Sequence, residues 1–369
     1  MNANRTYVSI QFVYVISTLN REQSSNHCPR RIDADFGRGM WLKWAGLGTK
    51  RSGRESEMRF QGIYTPVITP FRGDGSIDQD GWARMIEHLI AAGVHGLVIG
   101  GTTGEVYALA REERIAQFEK AHELIGGRVP WLAGVNDFRT EDCCAYATAA
   151  RERGANALLV ASPPYSQPSE EELVDHCFEV DRAAGLPIML YNYPGRTGAH
   201  MGEEFLRQAT RNANIQAIKE SSGDVDRIHL IAREFPRLQL SCGADDQALE
   251  FFAWGAESWV CAATNCLAAE TLALYQACVV DKDFDKGRAI MMALMPVMTV
   301  LERGGKFAQC VKYGCELQDL PGGAVRAPLR PMAEELKDQM REALAAAQTT
   351  VRRIQDGTEV TPIRQTMKG

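Results

Sequence analysis

The run Ile215-Gln216-Ala217-Ile218-Lys219, continued as Glu220-Ser221-Ser222-Gly223-Asp224, puts a lone amine at the end of a short apolar segment. A similar run, Ile188-Met189-Leu190-Tyr191-Asn192, lies upstream and continues as Tyr193-Pro194-Gly195-Arg196-Thr197-Gly198, so that Lys219 follows Tyr191 by 28 residues. Short continuous apolar runs bounded by turn residues are how strands buried on both faces read, and such strands belong to parallel sheets. Both runs are therefore expected to be buried parallel strands that end in a reactive side chain. An amine at the edge of an apolar core is pushed toward its neutral, nucleophilic form, because desolvation penalises the ammonium. That is the condition for forming an imine with a keto acid.

Working outward, apolar runs recur from Met58 onward at intervals of about 20 to 35 residues, over 62–68, 96–99, 130–135, 157–161, 188–192, 215–219, 238–242 and 258–262. Amphipathic segments such as 80–92, 111–125, 140–153 and 169–184 lie between them, with Gly93, Gly154, Gly185 and Gly255 where helix ends call for a left-handed residue. Eight strand–helix repeats are the arithmetic of an α/β fold of the (β/α)8 TIM-barrel type. The competing doubly wound open sheet seldom repeats so evenly, and no Gly-x-Gly-x-x-Gly follows the first strand. Past residue 270 the pattern turns helical, over 272–280, 283–301, 306–313 and 331–354, with breaks at Gly304-Gly305 and Leu320-Pro321-Gly322-Gly323. The expected organisation is a catalytic barrel over 58–270, a helical appendix over 271–355 and a tail over 356–369. The methionines at 291, 292, 295 and 298 read as packing rather than as ligands.

The first 57 residues differ, with nine Lys or Arg against five Asp or Glu, which leaves the remainder at 32 against 42. No small-residue cleavage site follows the moderately apolar stretch 8–19, so a secretory signal fits poorly. These residues are expected to be a disordered extension, or to precede a translation start at Met58. The net charge of −6 supplies no basic field for nucleic acid, and no apolar stretch reaches the length of a membrane span. The ten cysteines form no C-x-x-C pair and read as free thiols of a reducing, cytoplasmic compartment.

In a barrel, function gathers at the C-terminal ends of the strands. Those ends supply Gly100-Gly101-Thr102-Thr103-Gly104-Glu105 after the second strand and Ser162-Pro163-Pro164-Tyr165 after the fourth. The fifth ends with Tyr191 and Arg196, the sixth with Lys219, and Val260 lies in the eighth. Singly each is weak: a lysine after an apolar run is usually a snorkelling surface residue. Together they place an amine, two phenols, a guanidinium and a hydroxyl-bearing glycine loop on one face.

Gly-Thr-Thr-Gly-Glu, Tyr-Asn-x-Pro-x-Arg-Thr-Gly and Ile-Lys-Glu-Ser-Ser-Gly-Asp resemble, in order and spacing, the dihydrodipicolinate synthase and N-acetylneuraminate lyase family, over about residues 60 to 340. The resemblance implies a Schiff-base enzyme on a (β/α)8 barrel with C-terminal helices. It makes Lys219 the imine-forming lysine and Tyr191 the phenol that shuttles protons. Thr102 and Tyr165 complete the family's Tyr-Thr-Tyr relay. The tyrosine after the fourth strand reaches into a neighbouring subunit, so a homo-oligomer, a dimer of dimers, is implied. Thr103, with Gly101 beside it and Val260 in the wall, would hold the keto acid carboxylate, and Arg196 would organise the second substrate's carboxylate. No metal or cofactor is implied, since the protonated imine is itself the electron sink.

The complete relay with Arg196 points to the branch in which pyruvate condenses with aspartate semialdehyde. Departures point elsewhere in the family. Val106 and Tyr107 stand where familiar bacterial synthases carry Ser and a small residue, and Tyr193 is bulkier than the usual Val. Phe138 replaces the Asn ligand of lysine-inhibited synthases, so lysine feedback is not expected. Trp259 and Arg303-Gly304-Gly305-Lys306 resemble members outside lysine biosynthesis, including a deaminase of a hydroxylated pyrroline carboxylate. The same motifs are compatible with a 2-keto-3-deoxy acid dehydratase or aldolase, and with a non-catalytic ligand-binding relative.

Overall fold

A computed structural model describes residues 58–358. The expectations for residues 1–57 and for the end of the chain beyond 358 lie outside the described residues. Eight strands close into one parallel barrel in chain order. They are β1 (Gly62–Pro66), β2 (Gly96–Ile99), β3 (Trp131–Gly134), β4 (Ala157–Ala161), β5 (Ile188–Asn192), β6 (Ile215–Glu220), β7 (Gln239–Cys242) and β8 (Ser258–Val260). The helices are α1 (Gln79–Ala92), α2 (Arg111–Ile125), α3 (Thr140–Glu152), α4 (Glu170–Ala184), a short α5 (Pro194–Thr197), α6 (Glu203–Ala209), α7 (Val225–Glu234), α8 (Ala248–Ala253) and α9 (Ala268–Tyr275). Beyond them come α10 (Phe284–Arg303), α11 (Phe307–Glu316) and α12 (Glu334–Gln355). The (β/α)8 barrel read from the repeats is the fold, with strand ends shifted by a residue or two.

Strand parity explains why the barrel has two cores. Residues 189, 191, 217 and 260 point inward with Tyr64, Val98, Leu132 and Leu159, while alternate residues such as Leu190, Ile218 and Trp259 pack against the helices. Lys219 shares the parity of Ala217 and therefore enters the barrel mouth. Gly93, Gly154, Gly185 and Gly255 all carry positive φ, as expected of helix ends. Ser169 caps α4 through a reciprocal box with Glu172.

The chain past β8 differs in detail from the expectation. α9 begins at Ala268 and continues into a π-helical turn over Gln276–Val280, so the eighth barrel helix spans residue 270 rather than stopping there. The methionine stripe of α10 is divided: Met291 and Met298 are buried, whereas Met292 is exposed. Among the described residues no helix is long and apolar enough to cross a membrane. The nine described cysteines are all unpaired, and eight of them are buried.

Candidate active site

Lys219 and Tyr191 face each other across neighbouring strands, paired in register at the C-terminal ends of β5 and β6. The Lys219 Nζ lies 4.0 Å from the centroid of the Tyr191 ring. Both side chains are buried, Lys219 with 7% of its surface exposed. Gly243, after β7, makes room for this lysine, since a Cβ there would come within 2.7 Å of Lys219 Cγ and 2.0 Å of Ser221 Oγ.

A second network outside the barrel fixes the two strand ends. Asn192 Nδ2 donates to both oxygens of Glu220, at 3.0 and 2.9 Å, and its Oδ1 accepts from the Met201 N–H at 3.1 Å. Glu220 also pairs with Arg227 Nε at 3.3 Å, and Arg227 Nη2 reaches the Met201 carbonyl at 2.6 Å. Thus the residue after Tyr191 and the residue after Lys219 bind each other, which holds the phenol and the amine in step. No motif marks Arg227 in advance; a basic residue in the first turn of a helix looks like a surface charge until the fold encloses it. Removing one partner of a buried ion pair leaves the other charge uncompensated, so Arg227→Ala is expected to lose about 3–5 kcal/mol of stability, measurable by denaturant unfolding.

The glycine loop after β2 is locked from below and from the C-terminal helices. Thr69 Oγ1 donates to the Gly104 carbonyl at 2.8 Å, and a Cβ on Gly104 would come within 2.8 Å of the Val67 carbonyl oxygen. Glu105 is fully buried, pairs with Lys312 of α11 and accepts from the Arg326 N–H at 3.2 Å. Burial holds the Lys312 ammonium below its ordinary pKa, against the opposing pull of Glu105. The loop therefore presents Thr102 and Thr103 from a rigid base.

These elements enclose a cavity of about 560 Å³ at the barrel mouth, lined by Thr102, Thr103, Tyr191, Arg196, Lys219 and Val260 among others. Its size falls in the range of small-molecule sites. Arg196, on α5, stands 5.8 Å from the Tyr193 ring centroid, and the Tyr193 phenol raises its pKa. Gly101 lies just behind the wall, at the start of the turn that carries Thr102. Tyr165 does not line this cavity: the residue is 88% exposed, and its backbone sits at a positive φ of 72°. Among the described residues no hydrogen bond joins the side chains of Thr102, Tyr191 and Tyr165.

The C-terminal helices are part of the wall, a role that their expected place as an appendix does not include. Glu302, Gly305, Phe307 and Gln309 line the same cavity from the end of α10 and the start of α11. Tyr107, Phe138 and Tyr193, the residues that depart from the familiar pattern, also line it.

The model of the dihydrodipicolinate synthetase family matches residues 59–347. The chain belongs to the dihydrodipicolinate synthetase family. It is 37% identical to the 4-hydroxy-tetrahydrodipicolinate synthase of Exiguobacterium sibiricum over 280 residues, covering 74% of this chain and 94% of that protein. To the synthase of Bacillus subtilis it is 33% identical over 285 residues, covering 75% and 96%. Among solved structures, the synthase of Methylacidiphilum fumariolicum SolV superposes with a TM-score of 0.77 at 28% identity, covering 81% of this chain and 99% of that one. A prophage protein of the same family from E. coli K12, solved in complex with pyruvate, gives 0.75 at 29% identity, covering 79% and 99%. The family and fold read from the sequence therefore hold.

Proposed function

We propose that the chain is a Schiff-base-forming lyase that acts on pyruvate or a related 2-keto acid through a Lys219 imine, most like a 4-hydroxy-tetrahydrodipicolinate synthase. The observation that carries this reading is the buried Lys219 amine against the Tyr191 ring, in a cavity that also holds Thr103 and Arg196. Thr103 binds the keto acid carboxylate. Tyr191 and Thr102 move protons as the carbinolamine loses water, a step that needs an acid and a base within hydrogen-bond reach of one oxygen. Arg196 offers a bidentate fork to the second substrate's carboxylate. Tyr165, turned out to solvent, completes the relay of a neighbouring subunit, so the working form is a homo-oligomer, a dimer of dimers. The nine described cysteines, all unpaired, fit a reducing cytoplasm.

A second reading is a deaminase or dehydratase of the same family, acting on a hydroxylated pyrroline carboxylate or a 2-keto-3-deoxy acid. It is favoured by the cavity wall, where Tyr107, Phe138 and Tyr193 stand in place of smaller or polar residues. One comparison separates the two: condensation of pyruvate with aspartate semialdehyde, set against ammonia release from 1-pyrroline-4-hydroxy-2-carboxylate. The synthase reading predicts turnover in the first assay and none in the second; the reverse result would replace it with the deaminase.

A further inference from the structure

The cavity holds titratable groups that the Schiff-base reading leaves unused. Glu302, in the last turn of α10, faces the same cavity as Lys219. Around it stand Asp245 and Asp246 in the turn after β7, Lys219 at the end of β6, and Arg303 on its own helix. The Arg303 guanidinium is turned to Asp246 at 3.2 Å, leaving Glu302 without a cationic partner on its helix. Asp245 is enclosed and accepts three N–H donors, from Trp259 Nε1 at 2.9 Å and from the Ala262 and Ala263 backbones at 3.1 and 2.9 Å. Those bonds favour its anion, although burial pulls its pKa upward. Glu302 has no such set of donors, and burial with the negative charges of Asp245 and Asp246 lifts it to about 8, while Lys219 pulls the other way. Burial raises both carboxyls, and of the two only Asp245 has three N–H donors to hold its anion.

We propose that Glu302 is a second acid–base residue of the Schiff-base centre, taking a proton from the Lys219 ammonium and returning it to the oxygen that leaves the keto acid. This rests on Lys219 being the imine-forming residue. The proton passes from the ammonium to the Glu302 carboxylate through water, since no ion pair joins the two side chains among the described residues. The freed nitrogen pair then forms the C–N bond at the keto carbon, and the carbonyl oxygen takes a second proton from nitrogen through Tyr191, giving the carbinolamine. The C–O bond breaks as Glu302 returns its proton, water leaves, and the nitrogen pair closes the C=N bond. The Lys219–Glu302 pair carries one positive and one negative charge at the start and at the end, so the sequence of steps changes no net charge. A carboxylate of ordinary pKa would hold the ammonium as a stable ion pair; one lifted by its neighbours accepts the proton more readily.

The test is the rate of borohydride-trapped pyruvate adduct across pH 6 to 10 for the full chain, for Glu302→Gln and for Glu302→Asp. Below a pH of about 8 Glu302 is protonated and cannot take a proton from the lysine. The wild-type rate should therefore rise as pH passes through about 8. Glu302→Gln should form the adduct about 10²-fold more slowly and lose that limb, and Glu302→Asp should keep part of both. Adduct in the wild type with the same rate and pH profile in Glu302→Gln would overturn the role of Glu302 alone. No adduct in the wild type with pyruvate or any related keto acid would overturn the reading of Lys219 itself. If Glu302→Gln fails to fold, an unmoved pH limb in Glu302→Asp overturns the proposal and a displaced limb supports it.

Discussion

Lys219→Ala is expected to abolish turnover, lowering it by about 10⁴-fold or more, while leaving the protein folded. The lysine is the single nucleophile of the proposed chemistry, and losing a nucleophile removes the covalent route rather than slowing one step of it. Its amine takes part in no side-chain hydrogen bond among the described residues and lies over the Tyr191 ring. Alanine already follows β6 parity at Ala217, so the backbone accepts it. Melting by circular dichroism should show a change small beside the loss of activity. Residual turnover within about tenfold of wild type would remove Lys219 from the mechanism.

Tyr191→Phe is expected to keep imine formation with pyruvate but to lower turnover by about 10²- to 10⁴-fold, the usual contribution of a positioned acid–base group. The substitution keeps the ring against which Lys219 packs and deletes only the hydroxyl. Steady-state kinetics with trapped-adduct yields separate the two effects: adduct persists and kcat falls. Near-normal kcat would show that protons reach the keto acid oxygen by another path.

How much of this is legible in the sequence depends on the kind of contact. The barrel is readable because each strand is a local event, a short apolar run closed by a glycine-punctuated helix, and eight such events admit few topologies. Lys219 and Tyr191 are readable for the same reason: strand parity and a strand end set their direction, and the fold brings ends together. The Asn192–Glu220–Arg227 network is partly visible, since two of its members lie inside the quoted motifs. Arg227 is not, because nothing local marks a helical arginine as buried. Glu302 is the hardest of these residues to see. It falls four residues after Met298, on the face of α10 that buries Met291, Leu294 and Met298. A carboxylate on an apolar stripe is therefore a signal, but one that a helix end and the following Gly304-Gly305 disguise as solvent-facing. Tyr165 marks a different limit. It follows a strand end as the other candidates do, but strand parity does not carry four residues into a loop, and its side chain is exposed.

The most direct test of the imine is mass spectrometry of the intact chain after borohydride treatment with pyruvate, followed by peptide mapping. A reduced three-carbon adduct on the peptide carrying Lys219, absent from Lys219→Ala, is the predicted result. An adduct on another lysine, or none with pyruvate and its related keto acids, would contradict the account.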